Sequence, residues 1–162
     1  DQEGSGFKIA MGALAKGRIG TAALATGIQQ RCVDECIEYS KTRIIQNKPL
    51  GDNPVIRQYI AEMQMNAENS RMATWRAAWK LARGEDAYFE SSIAKAFSTM
   101  HAEKTALQAV QILGAWGISM EYPIAKLVND AKVLSIVEGT TEIQKNAIAD
   151  VLYGKGKPLY YT

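Results

Sequence analysis

Residues 133–144 read Val-Leu-Ser-Ile-Val-Glu-Gly-Thr-Thr-Glu-Ile-Gln, so an apolar run ends at a carboxylate, Glu138, followed by a glycine. Thr141 with Gln144 three residues later fits a capping box, which predicts that a helix begins here. Glu138 is therefore expected in a turn just before a helix N-terminus. Apolar neighbours strip water from a carboxylate and so favour the properties of a general base. The alternative, a solvated glutamate in a helix-entry turn, is favoured by the pattern alone.

The composition is that of one globular domain. The 162 residues are 47% hydrophobic and 22% charged, with a net charge of +2, and the chain is long enough to bury a core. Its charges are dispersed, without the basic face typical of nucleic-acid binding. No apolar run is long enough for a transmembrane helix, and the first residues lack a signal-peptide pattern. Cys32 and Cys36 are expected to be buried thiols and not a disulfide or metal site, which indicates a reducing compartment.

Helical periodicity dominates, and we predict an all-α fold. The expected architecture is an up-and-down bundle of three long helices plus shorter ones over residues 6–154, with residues 155–162 as a tail. A short helix is expected at residues 7–14, ahead of a first long helix whose buried stripe is Ala22, Ala25, Ile28, Cys32, Cys36 and Tyr39.

The remaining helix boundaries follow from capping and breaking residues. Asn53 and Pro54 form a favourable start for the second long helix, which is expected to end near residue 82. The third is expected at residues 86–113, followed by shorter helices that begin at Pro123 and after the Glu138 turn. Large apolar residues recur along the third helix and are expected to face the core, namely Ile93, Phe97, Met100, Leu107 and Val110.

Residues 136–144 resemble the C-terminal signature of the acyl-CoA dehydrogenases. Residues 6–18, 39–50, 109–117 and 122–132 resemble further segments of the same family in the same order, so the resemblance covers residues 4 to about 154. It implies the C-terminal helical domain of that family. Members of the family also have an N-terminal helical domain and a middle β-domain, for which this sequence has no counterpart. We therefore expect a fragment, or one chain of a split enzyme.

The resemblance implies a chemical role for the opening stretch. Glu138 corresponds to the base that removes the proton next to the thioester of an acyl-CoA, while a hydride passes to FAD. Some family members carry the base on the first long helix instead, where this chain has Gly17, so Glu138 is the only candidate of the two. Substrate-binding roles are implied for Arg18 and Gly139. For Arg18, the alternative is a solvated arginine on a helix surface.

The resemblance also implies cofactor-binding residues. FAD is expected to contact Arg43, Gln111, Gly114, Gly117, Thr140 and Glu142. In the family, the arginine matching Arg43 meets the FAD pyrophosphate of a neighbouring subunit, and the fixed fork of guanidinium donors suits that task. The chain departs from the family at Gln46, Asn47 and Ala115, where an aromatic residue and two glycines are usual.

The partners implied by the resemblance are an acyl-CoA substrate, an electron-transfer flavoprotein and further copies of the chain in a dimer or tetramer. The implied location is the bacterial cytoplasm or the mitochondrial matrix, and no metal is implied. An alternative stays open: an oligomerisation and cofactor-docking module without chemistry of its own, which acts only with a partner chain. A helical bundle with an unrelated binding function is a third possibility.

Overall fold

The computed structural model describes residues 4–155, without the side chains of Phe7, Lys8 and Met11. Helices dominate this part of the chain, and the predicted all-α bundle is confirmed. The helices are α1 (Gly6–Thr42), α2 (Pro54–Ala82), α3 (Tyr88–Leu113), α4 (Ala115–Ile118), α5 (Ile124–Ile136) and α6 (Thr141–Leu152). Of the predicted tail, residues 156–162 lie outside the described residues.

The first helix is continuous. α1 contains 37 residues, so the prediction of a short helix followed by a separate long one is wrong. Gly12 and Gly17 lie inside it, and each costs about 0.5–1 kcal/mol relative to alanine. That cost lowers the helical signal in the sequence, but packing against α3 offsets it in the folded chain.

A small hairpin, which the sequence did not indicate, joins α1 to α2. Its strands, β1 (Ile44–Ile45) and β2 (Lys48–Pro49), pair in antiparallel fashion, and a 3₁₀ turn (Leu50–Asp52) follows. The two turn residues, Gln46 and Asn47, both have positive φ, at 51° and 61°. This is the backbone of a tight hairpin turn. Strands of two residues are too short to produce an alternating pattern.

Contacts between the long helices establish their directions. Arg18 Nη1 donates to Ser92 Oγ at 3.2 Å, and Gln29 Nε2 donates to Ser98 O at 3.1 Å, so α1 and α3 run parallel. α2 runs antiparallel to α3, since Lys80 pairs with Glu90 near one end and Glu62 pairs with Lys104 towards the other. α5 returns along α3 and brings the Glu138 turn back to Gly17 of α1 and Lys95 of α3.

The core side of α3 differs from the prediction. Met100 and Leu107 are 41% and 58% exposed, so the expected stripe of large apolar residues is wrong at these two positions. Most of the buried face between the two ends of α3 is made of small side chains, namely Ala94, Ser98, Thr99, Ala102, Thr105, Ala106 and Ala109. α3 packs against several helices at once, and only small side chains allow backbones to approach from several directions.

The predicted stripe of α1 is confirmed, with its alanines and cysteines fully buried and Ile28 and Tyr39 partly buried. Cys32 and Cys36 are free thiols. Burial, with a smaller effect of the Glu35 carboxylate, raises the pKa of Cys32 to about 12, and burial likewise raises the pKa of Cys36 to about 12. Both cysteines therefore act as small core residues, as predicted.

Candidate active site

The turn between α5 and α6 holds its backbone in an unusual conformation. Glu138 has φ 56° and Gly139 has φ 86°, so both residues lie in the left-handed region. Glycine adopts this region freely, whereas a side-chain-bearing residue there costs of order 1–3 kcal/mol and persists only where its surroundings enforce it. The turn directs the Glu138 side chain back towards α1.

The Glu138 carboxylate rests on the backbone of α1 at Gly17. A Cβ atom built on Gly17 would overlap Glu138 Oε2 and would lie 2.6 Å from the carboxyl carbon and 3.0 Å from Oε1. The carboxylate can therefore occupy this position only because residue 17 has no side chain. Glu138 Oε2 is buried and has no hydrogen-bond partner among the described residues. An oxygen in that state keeps a lone pair available to accept a proton.

Arg18 is buried beside this position, at 2% exposure, so the alternative of a solvated surface arginine does not hold. Its Nη1 donates to Ser92 Oγ, and its guanidinium carbon lies 5.4 Å from the centroid of the Tyr88 ring. Both contacts are with the first turns of α3. A substrate-binding role for Arg18 stays a prediction.

The start of α6 differs from the predicted capping box. Thr140, and not Thr141, is the N-cap, and its hydroxyl accepts from Ile143 N at 3.4 Å. The Gln144 side chain turns back into the protein, where Nε2 donates to Glu138 O at 3.3 Å and to Gly139 O at 3.2 Å. The predicted capping box is wrong because, with Thr140 as the N-cap, the third helical position is Ile143, whose apolar side chain cannot complete it.

Lys95, on α3, is a site residue that the sequence analysis missed. It is fully buried, and its Nζ donates to Ser135 O at 3.1 Å and to Gly139 O at 2.8 Å. Burial, together with the Arg18 charge, lowers the pKa of Lys95 to about 8, against the opposing effect of nearby carboxylates. One signal was available, since position 95 falls on the same helical face as the small buried residues of α3.

Thr140 and Glu142 line a cleft of about 350 Å³ between α3, α5 and α6. Glu142 is exposed, and hydrogen bonds from its own backbone N–H and from the Thr140 hydroxyl hold the pKa of its carboxyl below the usual range. The N-terminus of α6 thus already has an anion. Glu103, Lys132 and Lys145 also line this cleft, so it carries charges of both signs.

The other cofactor candidates lie at the far end of the bundle. Arg43 is exposed directly after α1, next to a cleft of about 800 Å³ along the hairpin. The ring of Tyr39 meets that of Tyr122 edge-on, with centroids 6.0 Å apart, which joins this end of α1 to the segment before α5. Exposed Gln111 and Gly114 lie in the same region, at the C-terminus of α3.

The two glycines after α3 have different uses. Gly114 has φ 62°, and a Cβ built on it would meet nothing within 4 Å, so its backbone is open to a ligand. Gly117 is buried, and its Cβ would lie 2.7 Å from the Cα of Val110. Gly117 therefore allows α4 to pack on α3, in addition to any role towards a cofactor.

The structure separates the predicted site residues into two groups. Gln111 follows Lys95 by sixteen residues on the continuous helix α3, which places them about 24 Å apart at 1.5 Å per residue. The base group lies at the Lys95 end: Gly17, Arg18, Glu138, Gly139, Thr140 and Glu142. The far group lies at the Gln111 end: Arg43, Gln111, Gly114 and Gly117.

Comparisons with known proteins agree with this architecture. A sequence profile described as "Acyl-CoA dehydrogenase, C-terminal domain" matches residues 4–153. An acyl-CoA dehydrogenase of Bacillus subtilis (strain 168) is 42% identical over 153 residues, which is 94% of this chain. The structure of butyryl-CoA dehydrogenase from Megasphaera elsdenii superposes with a TM-score of 0.92 at 40% identity over 94% of the chain.

A structure of PigA with FAD and proline also superposes, with a TM-score of 0.90 at 27% identity over 96% of the chain. This chain spans 40% of the length of each of the three proteins. Within residues 4–155, no helix combines the length and apolar character needed to cross a membrane. The same residues contain no group of three or more His, Cys, Asp or Glu side chains placed to bind a metal.

Proposed function

We infer that this chain, which belongs to the acyl-CoA dehydrogenase family and corresponds to its C-terminal domain, supplies the catalytic base of an FAD-dependent dehydrogenase. The substrates of that enzyme are acyl-CoA thioesters. One observation carries the proposal. Glu138 is held in a costly backbone conformation, with a buried carboxylate oxygen that accepts no hydrogen bond among the described residues and rests on a glycine.

The residues of this chain perform the proton transfer. Glu138 Oε2 takes the proton from the carbon next to the thioester carbonyl, and a bound acyl chain excludes water from the carboxylate. The strained turn positions the base before the substrate arrives, so little reorganisation accompanies the reaction. When bound, FAD supplies the acceptor for the hydride that leaves the neighbouring carbon, and the product is a trans-2-enoyl-CoA.

The far group fits the phosphate-bearing part of FAD. The Arg43 guanidinium is exposed and can hold phosphate oxygens through two parallel hydrogen bonds. The open backbone at Gly114 allows close approach, and the Gln111 amide offers both a donor and an acceptor. The Gln46–Asn47 turn next to Arg43 has a tight hairpin conformation although both residues depart from the family pattern.

The base group would lie beside the reactive ring of a flavin. Since the two groups are at opposite ends of α3, we propose that they contact two different FAD molecules, each shared between two copies of the chain. This arrangement requires at least a dimer and accounts for the predicted self-association as a dimer or tetramer. The electron acceptor proposed with it is an electron-transfer flavoprotein.

A domain exchange tests the proposal. The C-terminal domain of the M. elsdenii butyryl-CoA dehydrogenase is replaced by this chain, and reduction of the bound flavin by butyryl-CoA is followed by absorbance. We expect Glu138→Gln to slow this chimera by roughly 10²–10⁴-fold, the range for loss of a general base. Glu62→Gln, an exposed carboxylate on α2, is the matched control and should leave the rate unchanged.

The same experiment distinguishes the catalytic role from the alternative, an oligomerisation and cofactor-docking module. A module without chemistry requires no carboxylate at position 138, so Glu138→Gln would then reduce flavin as fast as the parent chimera. The Glu138 geometry favours the catalytic role, because a docking role gives no reason for the left-handed conformation at Glu138 or for the close seat on Gly17.

A further inference from the structure

Buried side chains of α3 and α6 hold the Glu138 turn by hydrogen bonds to its backbone. Lys95, Thr141 and Gln144 are each at least 94% buried, with exposed fractions of 0%, 6% and 0%. Together they donate to three backbone carbonyls, those of Ser135, Glu138 and Gly139. The hydrogen bonds are Lys95 to Ser135 and Gly139, Thr141 to Ser135, and Gln144 to Glu138 and Gly139.

Lys95 differs from the other two donors because it comes from a different part of the chain and carries a charge. Its partners follow it by 40 and 44 residues, so it joins α3 to the turn. The last turn of α5 has no basic residue of its own. The carbonyl end of a helix carries partial negative charge, and the Lys95 ammonium supplies the cation there.

The burial of a charged side chain at position 95 needs a physical explanation. Burying an ammonium group is unfavourable unless hydrogen bonds compensate for lost hydration, whereas an apolar side chain of similar length would fill the same space without that cost. What the ammonium adds is a fixed direction for the Gly139 carbonyl. That carbonyl follows directly after the two residues with positive φ, so holding it prevents the peptide from rotating towards an ordinary conformation.

We propose that Lys95 is a positioning residue for Glu138: by holding Ser135 O and Gly139 O it keeps the turn strained and the carboxylate seated on Gly17. The inference rests on the proposed role of Glu138 as the base. Gln144 shares the Gly139 carbonyl and supports the same conformation from α6. The pKa of Lys95, about 8, leaves most of the ammonium charged at neutral pH.

Hydrogen exchange in the 162-residue chain tests the proposal without any catalytic assay. The reporters are the amides of Val137 and Gln144, which donate to Val133 O and Thr140 O on either side of the turn. Lys95→Met keeps an unbranched side chain, one atom shorter than lysine, and removes the donors. We expect exchange at both reporters to accelerate by roughly 10- to 150-fold, the factor for loss of a hydrogen bond from a charged donor.

Two controls make that result specific. Val33→Ala destabilises the core on α1 away from the turn, so it should accelerate exchange at both reporters only as far as it lowers global stability. The Arg43 amide, which donates to Tyr39 O at the far end, should respond alike to both variants. The proposal is overturned if Lys95→Met accelerates exchange at Val137 and Gln144 no more than Val33→Ala does, once the two variants are compared at the same loss of global stability. Should Lys95→Met not fold, Lys95→Gln is expected to give a smaller acceleration at the same reporters.

Kinetics in the chimera separate this inference from the proposed function. We expect Lys95→Met to lower kcat by about 10- to 100-fold while the KM for butyryl-CoA changes by less than about threefold, because a misplaced base impairs the reaction more than binding. Full activity in Glu138→Gln would refute the proposed function, and the exchange result would still stand by itself. A slow Glu138→Gln with a fully active Lys95→Met would refute the role of Lys95 alone.

Discussion

Replacing Gly17 by alanine should separate stability from activity. Alanine is the better residue inside α1, by about 0.5–1 kcal/mol. Its Cβ, however, would lie 2.6 Å from the Glu138 carboxyl carbon, and the carboxyl group must withdraw by about 0.8 Å to reach an ordinary contact of 3.4 Å. The atoms that must move belong to the end of a flexible side chain, so the fold can accommodate the change while the base loses its position.

The expected stability change follows from these two effects. The Gly17→Ala chain should be as stable as the parent or up to about 1 kcal/mol more stable, which raises the Tm by up to roughly 4 °C. A displacement near 1 Å costs about a hundredfold in rate where reacting groups must be aligned. We therefore expect kcat of the chimera with butyryl-CoA to fall by about that factor.

Gly20→Ala is the matched control for Gly17→Ala. Gly20 also lies inside α1, and a Cβ built on it would meet nothing within 4 Å. Gly20→Ala should give the same gain in helix stability with no loss of activity. Thermal unfolding of the isolated chain and steady-state kinetics of the chimera measure the two effects. If Gly17→Ala is as active as Gly20→Ala, the seat of the carboxylate on Gly17 is not what positions the base.

Three further predictions concern other positions. The pKa of Lys95 is lowered from 10.5 to about 8, so between those pH values the unfolded chain holds this proton and the folded chain does not. The unfolding free energy of the parent, measured in urea, should therefore rise relative to that of Lys95→Met from pH 8 to 10.5. A difference that does not change with pH would contradict this sign. Gly117→Ala places a Cβ 2.7 Å from the Val110 Cα and should destabilise the chain by about 1–3 kcal/mol in the same urea assay, whereas a neutral result would mean that α4 shifts freely. Arg43→Ala should weaken retention of FAD by the chimera on desalting by roughly tenfold or more, with unchanged retention contradicting its assignment to the phosphates.

The sequence was sufficient to predict the bundle, because apolar periodicity and helix-breaking residues identify long helices. The turn at Glu138 was also predictable, since an apolar run, a glycine and a threonine pair leave few alternatives to a helix-to-helix connection. The error at α3 has a physical cause. Apolar size predicts burial on a helix with one packed face, but α3 is packed on several sides, where Ala102 and Ala106 fit and Leu107 does not.

The parts of the site that were missed depend on contacts distant in sequence. Lys95 is a residue type that is usually exposed, and its partners are backbone carbonyls 40 and 44 residues away, which no side-chain pattern encodes. Gly17 appeared only as a position lacking a base, and its role as the seat of the carboxylate required coordinates. Thr140 and Thr141 have the same side chain and are equally good N-cap candidates, so only backbone angles distinguish them.

The most direct measurement of the central claim is single-turnover flavin reduction in the chimera with butyryl-CoA carrying deuterium at the carbon next to the thioester. With Glu138 present, reduction should slow several-fold on deuteration, because the bond to that hydrogen breaks in the measured step. With Glu138→Gln, reduction should be at least about a hundredfold slower with either substrate. A Glu138→Gln chimera that reduces flavin at the parent rate, with the same isotope effect, would contradict the assignment of Glu138 as the base.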